Sequence, residues 1–139
     1  MYWDSTALVA LFVNQQGTKA ALDRFAEDPL LVTAWHAVPE CASAFCRLRR
    51  EGHITETELQ QLLRELDRQA AHWCIITPGQ RLERLTLRLL RVHPLRAMDA
   101  IHLAAACLAR TDDEPEALFF TFDTRLAEAA SKEGFRIAV

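Results

Sequence analysis

Five short apolar runs separated by helical patterns restrict this chain more than any other feature of its sequence. The runs are Met1–Trp3, Leu30–Thr33, Cys74–Ile76, Leu118–Phe122 and Phe135–Val139. Between them, helical spacing covers Ser5–Val13, Thr18–Ala26, about Val38–Arg50, Thr55 to about His72, Gln80–Val92, Ala97–Arg110 and Thr124–Lys132. Pro39 suits a first helical turn, Gly52 suits a stop, and Thr55 with Glu58 reads as a capping box. That box opens a helix carrying Leu59, Leu62, Leu63 and Leu66 inward. Short apolar strands with helices between them predict a parallel α/β sheet covered on both faces.

A chain of 139 residues has room for one domain, 1–139, with a core that needs no metal or disulfide to hold it. Half of its residues are hydrophobic and a quarter charged, which excludes a disordered chain. No stretch approaches the roughly 18 apolar residues of a membrane span. The start, Met1-Tyr2-Trp3-Asp4, lacks the basic region of a signal peptide. Cys41, Cys46, Cys74 and Cys107 form no C-x-x-C pair, so zinc and redox spacings are absent, and they read as buried small hydrophobes in a reducing cytosol.

In a parallel sheet, ligands bind off the carboxyl ends of the strands, so the polar residues at those ends matter most. Asp4 follows the first apolar run and Asp123 the fourth. Either one, alone, would serve as an ordinary helix N-cap. Glu40 and Asp99 are less ordinary. Glu40 sits in a first turn after Pro39, and Asp99 opens an otherwise apolar helix that should be central and buried. A carboxylate there is costly unless it is paired, hydrogen-bonded or metal-bound. Lysine is no general answer, because the chain has only Lys19 and Lys132. An oxygen-rich set without His or Cys clustering favours a hard cation, Mg²⁺ or Mn²⁺. Phosphodiester hydrolysis is the natural chemistry of such a site.

Four segments resemble, in order, the motifs of PIN-domain nucleases. They are Trp3-Asp4-Ser5-Thr6-Ala7-Leu8; Pro39-Glu40 through Arg47; Leu95 to Ala104 around Asp99; and Thr121-Phe122-Asp123-Thr124-Arg125-Leu126, followed by Ala129 and Gly134. Length and order look like the VapC-type toxins of prokaryotic toxin–antitoxin pairs. The resemblance implies a three-layer α/β/α sandwich with a five-stranded parallel sheet. It also implies a cytoplasmic endoribonuclease using Mg²⁺ or Mn²⁺ and leaving a 5′-phosphate and a 3′-hydroxyl. Asp4 and Asp99 would be the principal metal ligands, completed or tuned by Glu40 and Asp123, with Ser5, Thr6 and Thr121 as polar support. The partners implied are RNA, a small antitoxin and a second copy of the chain, with no membrane. Arg47, two turns from Glu40, could hold a carboxylate, meet the antitoxin or simply be exposed. His102, one turn from Asp99, reads as a packed, hydrogen-bonded histidine.

The chain's net charge of −3 and pI near 5.9 argue mildly against nucleic acid, but the average hides a basic stripe. Residues 78–96 carry five arginines and one acid, net +4, leaving −7 for the remainder. Arg81, Arg84, Arg88 and Arg91 share one helical face, beside an apolar stripe of Leu82, Leu85, Leu89 and Val92. That face is a solvated surface, a phosphate-contacting strip or an antitoxin contact. Leu87 and Leu90 lie outside the stripe and would widen a contact surface. Other acidic α/β folds fit worse. A phosphoacceptor domain needs a late lysine, a haloacid-dehalogenase phosphatase needs Asp-x-Asp, and a dinucleotide fold needs a glycine-rich first turn. The remaining alternative is a non-catalytic RNA- or protein-binding module on the same fold.

Overall fold

The computed structural model describes residues 1–111, 113 and 116–138. Asp112, Glu114 and Pro115 of the acidic run expected as a solvated loop, and Val139 of the last expected strand, lie outside the described residues. The chain alternates as expected. Strand β1 (Tyr2–Trp3) leads to helices α1 (Ser5–Phe12) and α2 (Thr18–Glu27). Strand β2 (Val32–Ala34) follows, then α3 (Ala37–Arg50) and α4 (Glu56–Ala70). Strand β3 (Cys74–Ile76) leads to α5 (Gln80–Val92) and α6 (Ala97–Ala109). Strand β4 (Leu118–Phe120), α7 (Thr124–Lys132) and β5 (Arg136–Ala138) complete the described chain.

All strand pairs are parallel, in the order β3-β2-β1-β4-β5. The chain builds outward from β1 through β2 to β3, then crosses to the other side for β4 and β5. The direction therefore reverses between β1 and β4, where Tyr2 pairs with Phe119 and Trp3 with Phe120. A crevice at the carboxyl ends of these two strands is where such a sheet binds ligands.

Strand alternation divides the core in two. Trp3 and Phe120 pack with Leu8, Phe45, Leu59 and Leu66 from α1, α3 and α4. Tyr2 and Phe119 pack with Leu89, Leu103 and Leu126 from α5, α6 and α7. Full burial of a side chain such as Phe120 or Leu103 contributes about 1.5–3 kcal/mol each. Helix α6 lies deepest, with Ala100 and His102–Ala106 buried, because its alanines let it approach the sheet closely. The Thr55–Glu58 capping box forms as predicted. Gly17, at φ +97°, is the residue before α2 and lies against Phe122, where a Cβ would meet the phenyl ring at 2.5 Å. No helix among the described residues is long and apolar enough to cross a membrane.

Three expectations shift. Strand β2 begins two residues later than the apolar run, because its pairing to Tyr2 and Cys74 starts at Val32. The Cys74–Ile76 strand is a sheet edge rather than a fully buried strand, and Cys74 is exposed while Cys41 is buried. The buried stripe of α5 runs through Leu82, Thr86 and Leu89, continuing to His93. Thr86 stays inside because its hydroxyl donates to the Leu82 carbonyl, and Val92, the last residue of α5, is exposed.

Candidate active site

Four helix N-termini meet the carboxyl end of the sheet, and each carries one of the four predicted acids. Asp4 caps α1, Glu40 lies in the first turn of α3, Asp99 in the first turn of α6, and Asp123 caps α7. Helix dipoles favour negative charge at such positions, which offsets part of the cost of gathering it. The capping role and a place at the crevice thus coexist in Asp4 and Asp123.

Asp4 is buried, and its carboxylate is held by three donors. The Ala7 N–H donates to Oδ1 at 2.9 Å, the Thr6 hydroxyl lies 2.8 Å from Oδ1 and 2.9 Å from Oδ2, and the Thr121 hydroxyl donates to Oδ2 at 2.7 Å. The same hydroxyls accept in turn. Thr6 takes the Phe122 N–H at 2.9 Å and Thr121 takes the Asp123 N–H at 3.0 Å. Both strand ends of the crevice are therefore locked to one carboxylate. Burial raises the Asp4 pKa above its ordinary value, against the pull of His102 and of these donors.

Glu40 is half-buried and accepts from His102, whose Nε2 lies 2.9 Å from Oε2. The other ring nitrogen of His102, Nδ1, lies 2.9 Å from the Tyr2 hydroxyl. Burial pushes the Glu40 carboxyl up, but His102, a hydroxyl from Ser5 and the His36 ring outweigh it and hold the pKa below the ordinary carboxylate range. Asp99 shows the opposite balance. Burial, then the neighbouring charges of Asp123 and Glu40, raise its pKa despite His102 and the backbone at Arg96. Asp99 thus feels both other half-buried acids, while Ser5 and the Asp4–Thr121–Asp123 chain join the rest. Among the described residues no arginine or lysine forms an ion pair with Asp4, Glu40, Asp99 or Asp123. The partners of Glu40 are the two histidines.

Of the expected supporting residues, Thr6 and Thr121 bond to Asp4, and the Ser5 hydroxyl acts on Glu40. Arg47 is exposed and lines a cavity of about 360 Å³ with Ser5, Thr6, Glu40, Ser43 and Phe122, so it stands at the mouth of the cavity that Glu40 borders. Arg84, Arg88 and Arg91 line a separate shallow cavity with exposed Leu87 and Val92. Arg88 is engaged there, its Nη2 2.6 Å from Glu133 Oε2, and Arg81 does not line that cavity.

Two residues of this region escape a reading of the sequence alone. Tyr2 hides in a two-residue strand whose alternation says only which face it takes. His36 stands four residues before Glu40, a spacing that puts both on one side of a helix start. It is buried, neither ring nitrogen makes a hydrogen bond of good geometry, and its Nε2 lies 3.7 Å from Glu40 Oε2. Burial, with the His102 ring 4.3 Å away, pushes its pKa down to about 4.

Residues 1–132 match the model of the PIN domain family. Two Mycobacterium tuberculosis proteins, ribonuclease VapC45 and ribonuclease VapC49, are each 28% identical over 141 residues, covering 99% of this chain and 94% of theirs. Among solved structures, a toxin–antitoxin complex from Klebsiella pneumoniae superposes with a TM-score of 0.66 at 17% identity, covering 99% of this chain and 97% of that one. Mycobacterium tuberculosis VapC20, a toxin that cleaves the sarcin–ricin loop, gives 0.63 at 17% identity, over 92% and 93% of the two chains.

Proposed function

The chain belongs to the PIN-domain family, and from that premise we propose that it is a metal-dependent endoribonuclease, the toxin of a toxin–antitoxin pair. The observation that supports this reading is that Asp4, Glu40, Asp99 and Asp123 each lie at a helix N-terminus, with Asp99 feeling the charges of Asp123 and Glu40 and, among the described residues, no arginine or lysine ion-paired to any of them. The relatives named as ribonucleases support the substrate class. Residues 1–139 are read as one PIN-like domain.

The donor set fits a hard divalent cation. All four donors are carboxylates, and an ionised carboxylate offers about four lone-pair sites, of which the donors around Asp4 leave some free. Burial, and after it the charges of Asp123 and Glu40, raise the Asp99 pKa, so only the smaller part of the shift comes from neighbouring negative charge that a cation would offset. Asp4 and Asp99 would hold Mg²⁺ or Mn²⁺ most directly, with Glu40 and Asp123 completing the set, partly through water. When bound, such an ion lowers the pKa of water and stabilises charge on the phosphodiester oxygens.

The chain's own residues do the positioning. Thr6 and Thr121 fix both oxygens of Asp4, so that its orientation does not change with the ligand. His102 holds Glu40, with the Ser5 hydroxyl beside it. Arg47, at the mouth, supplies a forked donor for a neighbouring phosphate of the RNA. The four helix N-termini direct backbone N–H groups at the crevice, where the scissile phosphate would sit. The partners proposed are RNA, a small antitoxin and a second copy of the chain, acting in the cytoplasm. Exposed Leu87 and Val92, beside Arg84, Arg88 and Arg91 on α5, support a protein contact there.

The test is cleavage of RNA by wild type and Asp99→Asn, with Mg²⁺ or Mn²⁺ and with EDTA. Cutting that requires the ion and is lost in the variant is the expected result. Equal cutting in EDTA or by Asp99→Asn overturns the metal-dependent reading, and no cutting under any condition leaves the binding-module alternative. Light scattering with and without the co-expressed neighbouring open reading frame reads the dimer and the antitoxin complex.

A further inference from the structure

Beside the carboxylates lies a group of donors that the hard-cation reading does not use. We propose that His36 Nε2, Glu40 Oε2 and His102 Nε2 form a second metal site, selective for a borderline transition cation of the Zn²⁺ class and sharing Glu40 with the carboxylate site. The three residues each offer a ligand atom, and these atoms all lie within 4.8 Å of one another. A tetrahedral ion bound at 2.0–2.1 Å needs its ligand atoms about 3.3 Å apart. The distances from Glu40 Oε2, 2.9 Å to His102 and 3.7 Å to His36, bracket that value, and the edge between the two histidines lies within 4.8 Å, so closure around an ion draws the two imidazoles together by up to about 1.5 Å.

The independent sign is His36. A buried imidazole normally satisfies its nitrogens, and leaving such a group unmet costs about 1–3 kcal/mol. His36 is 2% exposed, and neither ring nitrogen makes a hydrogen bond of good geometry; the Met98 backbone and Glu40, at 3.7 Å, act on the ring only from a poorer geometry. A ring nitrogen without a proton has the lone pair that a metal takes up. His102 has the outer partner that a ligating histidine usually has. Its Nδ1 faces the Tyr2 hydroxyl at 2.9 Å. In the metal-free chain Nε2–H donates to Glu40 and Nδ1 accepts from Tyr2; an ion on Nε2 takes the other tautomer, with the ring proton on Nδ1 donating to the Tyr2 oxygen. Glu40 also borders the cavity under Arg47, which gives a path from solvent and room for a water as fourth ligand. Two imidazoles and one carboxylate favour Zn²⁺, Co²⁺ or Ni²⁺ and discriminate against Mg²⁺. Binding here is independent of whether the chain cleaves RNA.

The experiment is titration of the full chain with Co²⁺, read by its visible d–d absorption, followed by competition with Zn²⁺ and with Mg²⁺. Wild type is expected to give the bands of a four- or five-coordinate site, erased by one equivalent of Zn²⁺ and unaffected by millimolar Mg²⁺. His36→Gln should weaken Co²⁺ binding at least tenfold, Tyr2→Phe about tenfold, and Asp99→Asn should keep the bands. No bands in wild type, bands unchanged in His36→Gln, or bands lost in Asp99→Asn or displaced by Mg²⁺ overturn the proposal. If His36→Gln does not fold by circular dichroism, Tyr2→Phe decides. That variant keeps the ring stacked on Phe119, and unchanged Co²⁺ affinity in it overturns the site as drawn.

Discussion

The Thr121 hydroxyl donates to Asp4 Oδ2 at 2.7 Å, tying together the ends of two neighbouring strands that lie 117 positions apart in sequence. The same oxygen accepts the Asp123 N–H, so one side chain serves both acids of the switch point. Thr121→Val keeps the shape but leaves Asp4 a donor short and a backbone N–H unmet. The expected cost is about 1–3 kcal/mol in urea unfolding, with RNA cleavage reduced. Thr121→Ser should recover most of both. A Thr121→Val protein as stable and as active as wild type would remove the hydroxyl from the account of the site.

Asp99 gives a prediction with an unusual sign. Its folded-state pKa is raised, so the folded protein disfavours the charged form even though a helix N-terminus lies beside it. The penalty is absent below the ordinary carboxylate pKa and grows as pH rises toward the folded value. Asp99→Asn should therefore stabilise the metal-free protein at neutral pH while abolishing cleavage. The gain is roughly 0.5–1 kcal/mol, discounted for solvent screening of a half-buried group. Thermal scans in EDTA at pH 7 and pH 3 check it. The variant should melt higher at pH 7 and lose that advantage in acid, whereas a lower melting point at pH 7 refutes the electrostatic argument.

What the sequence made legible follows from how local each signal is. The helices, the capping box at Thr55 and the order of the strands depend on nearby residues, and all of them form. Asp4 and Asp123 could be placed because a strand-to-helix junction is itself a local feature. The pairing of Glu40 with His102, and of Tyr2 with the far nitrogen of that ring, joins residues 62 and 100 positions apart. No periodicity carries such a contact. The edge position of β3 was hidden for the same reason. Cys74-Ile75-Ile76 reads the same whether a neighbour covers one side or two. Val92 was misassigned to the buried stripe of α5 because a helix's inner face depends on what it packs against.

Glu133 carries an acid-sensitive link between α5 and α7. Hydrogen bonding from Arg88 holds its pKa down, against burial and with help from His93. A depressed carboxylate pKa contributes stability above the ordinary carboxylate value, and that contribution is lost as pH falls through the folded value. Glu133→Gln should cost about 1–2 kcal/mol at pH 7 and progressively less in acid. Urea unfolding of both proteins across this range measures the difference. A constant difference would mean that packing, not charge, accounts for the loss.

Arg47 and the α5 arginines separate by position. Arg47 borders the cavity that holds Glu40, Ser5 and Thr6, while Arg88 is bound to Glu133 and Arg81 lies away from both cavities. A single phosphate contact adds about 0.7 to the salt slope for single-stranded RNA and makes binding weaker as salt rises. With Asp99→Asn as the non-cleaving background, Arg47→Ala should lower RNA affinity about three- to tenfold and reduce the slope by roughly that amount. Arg81→Ala in the same background should change neither. Fluorescence anisotropy of a labelled RNA at several salt concentrations reads both quantities. If Arg81→Ala weakens binding as much as Arg47→Ala does, the RNA tracks along α5 rather than through the mouth of the cavity that Glu40 borders. A loss for Arg47→Ala that does not vary with salt would assign that arginine to Glu40 instead of to phosphate.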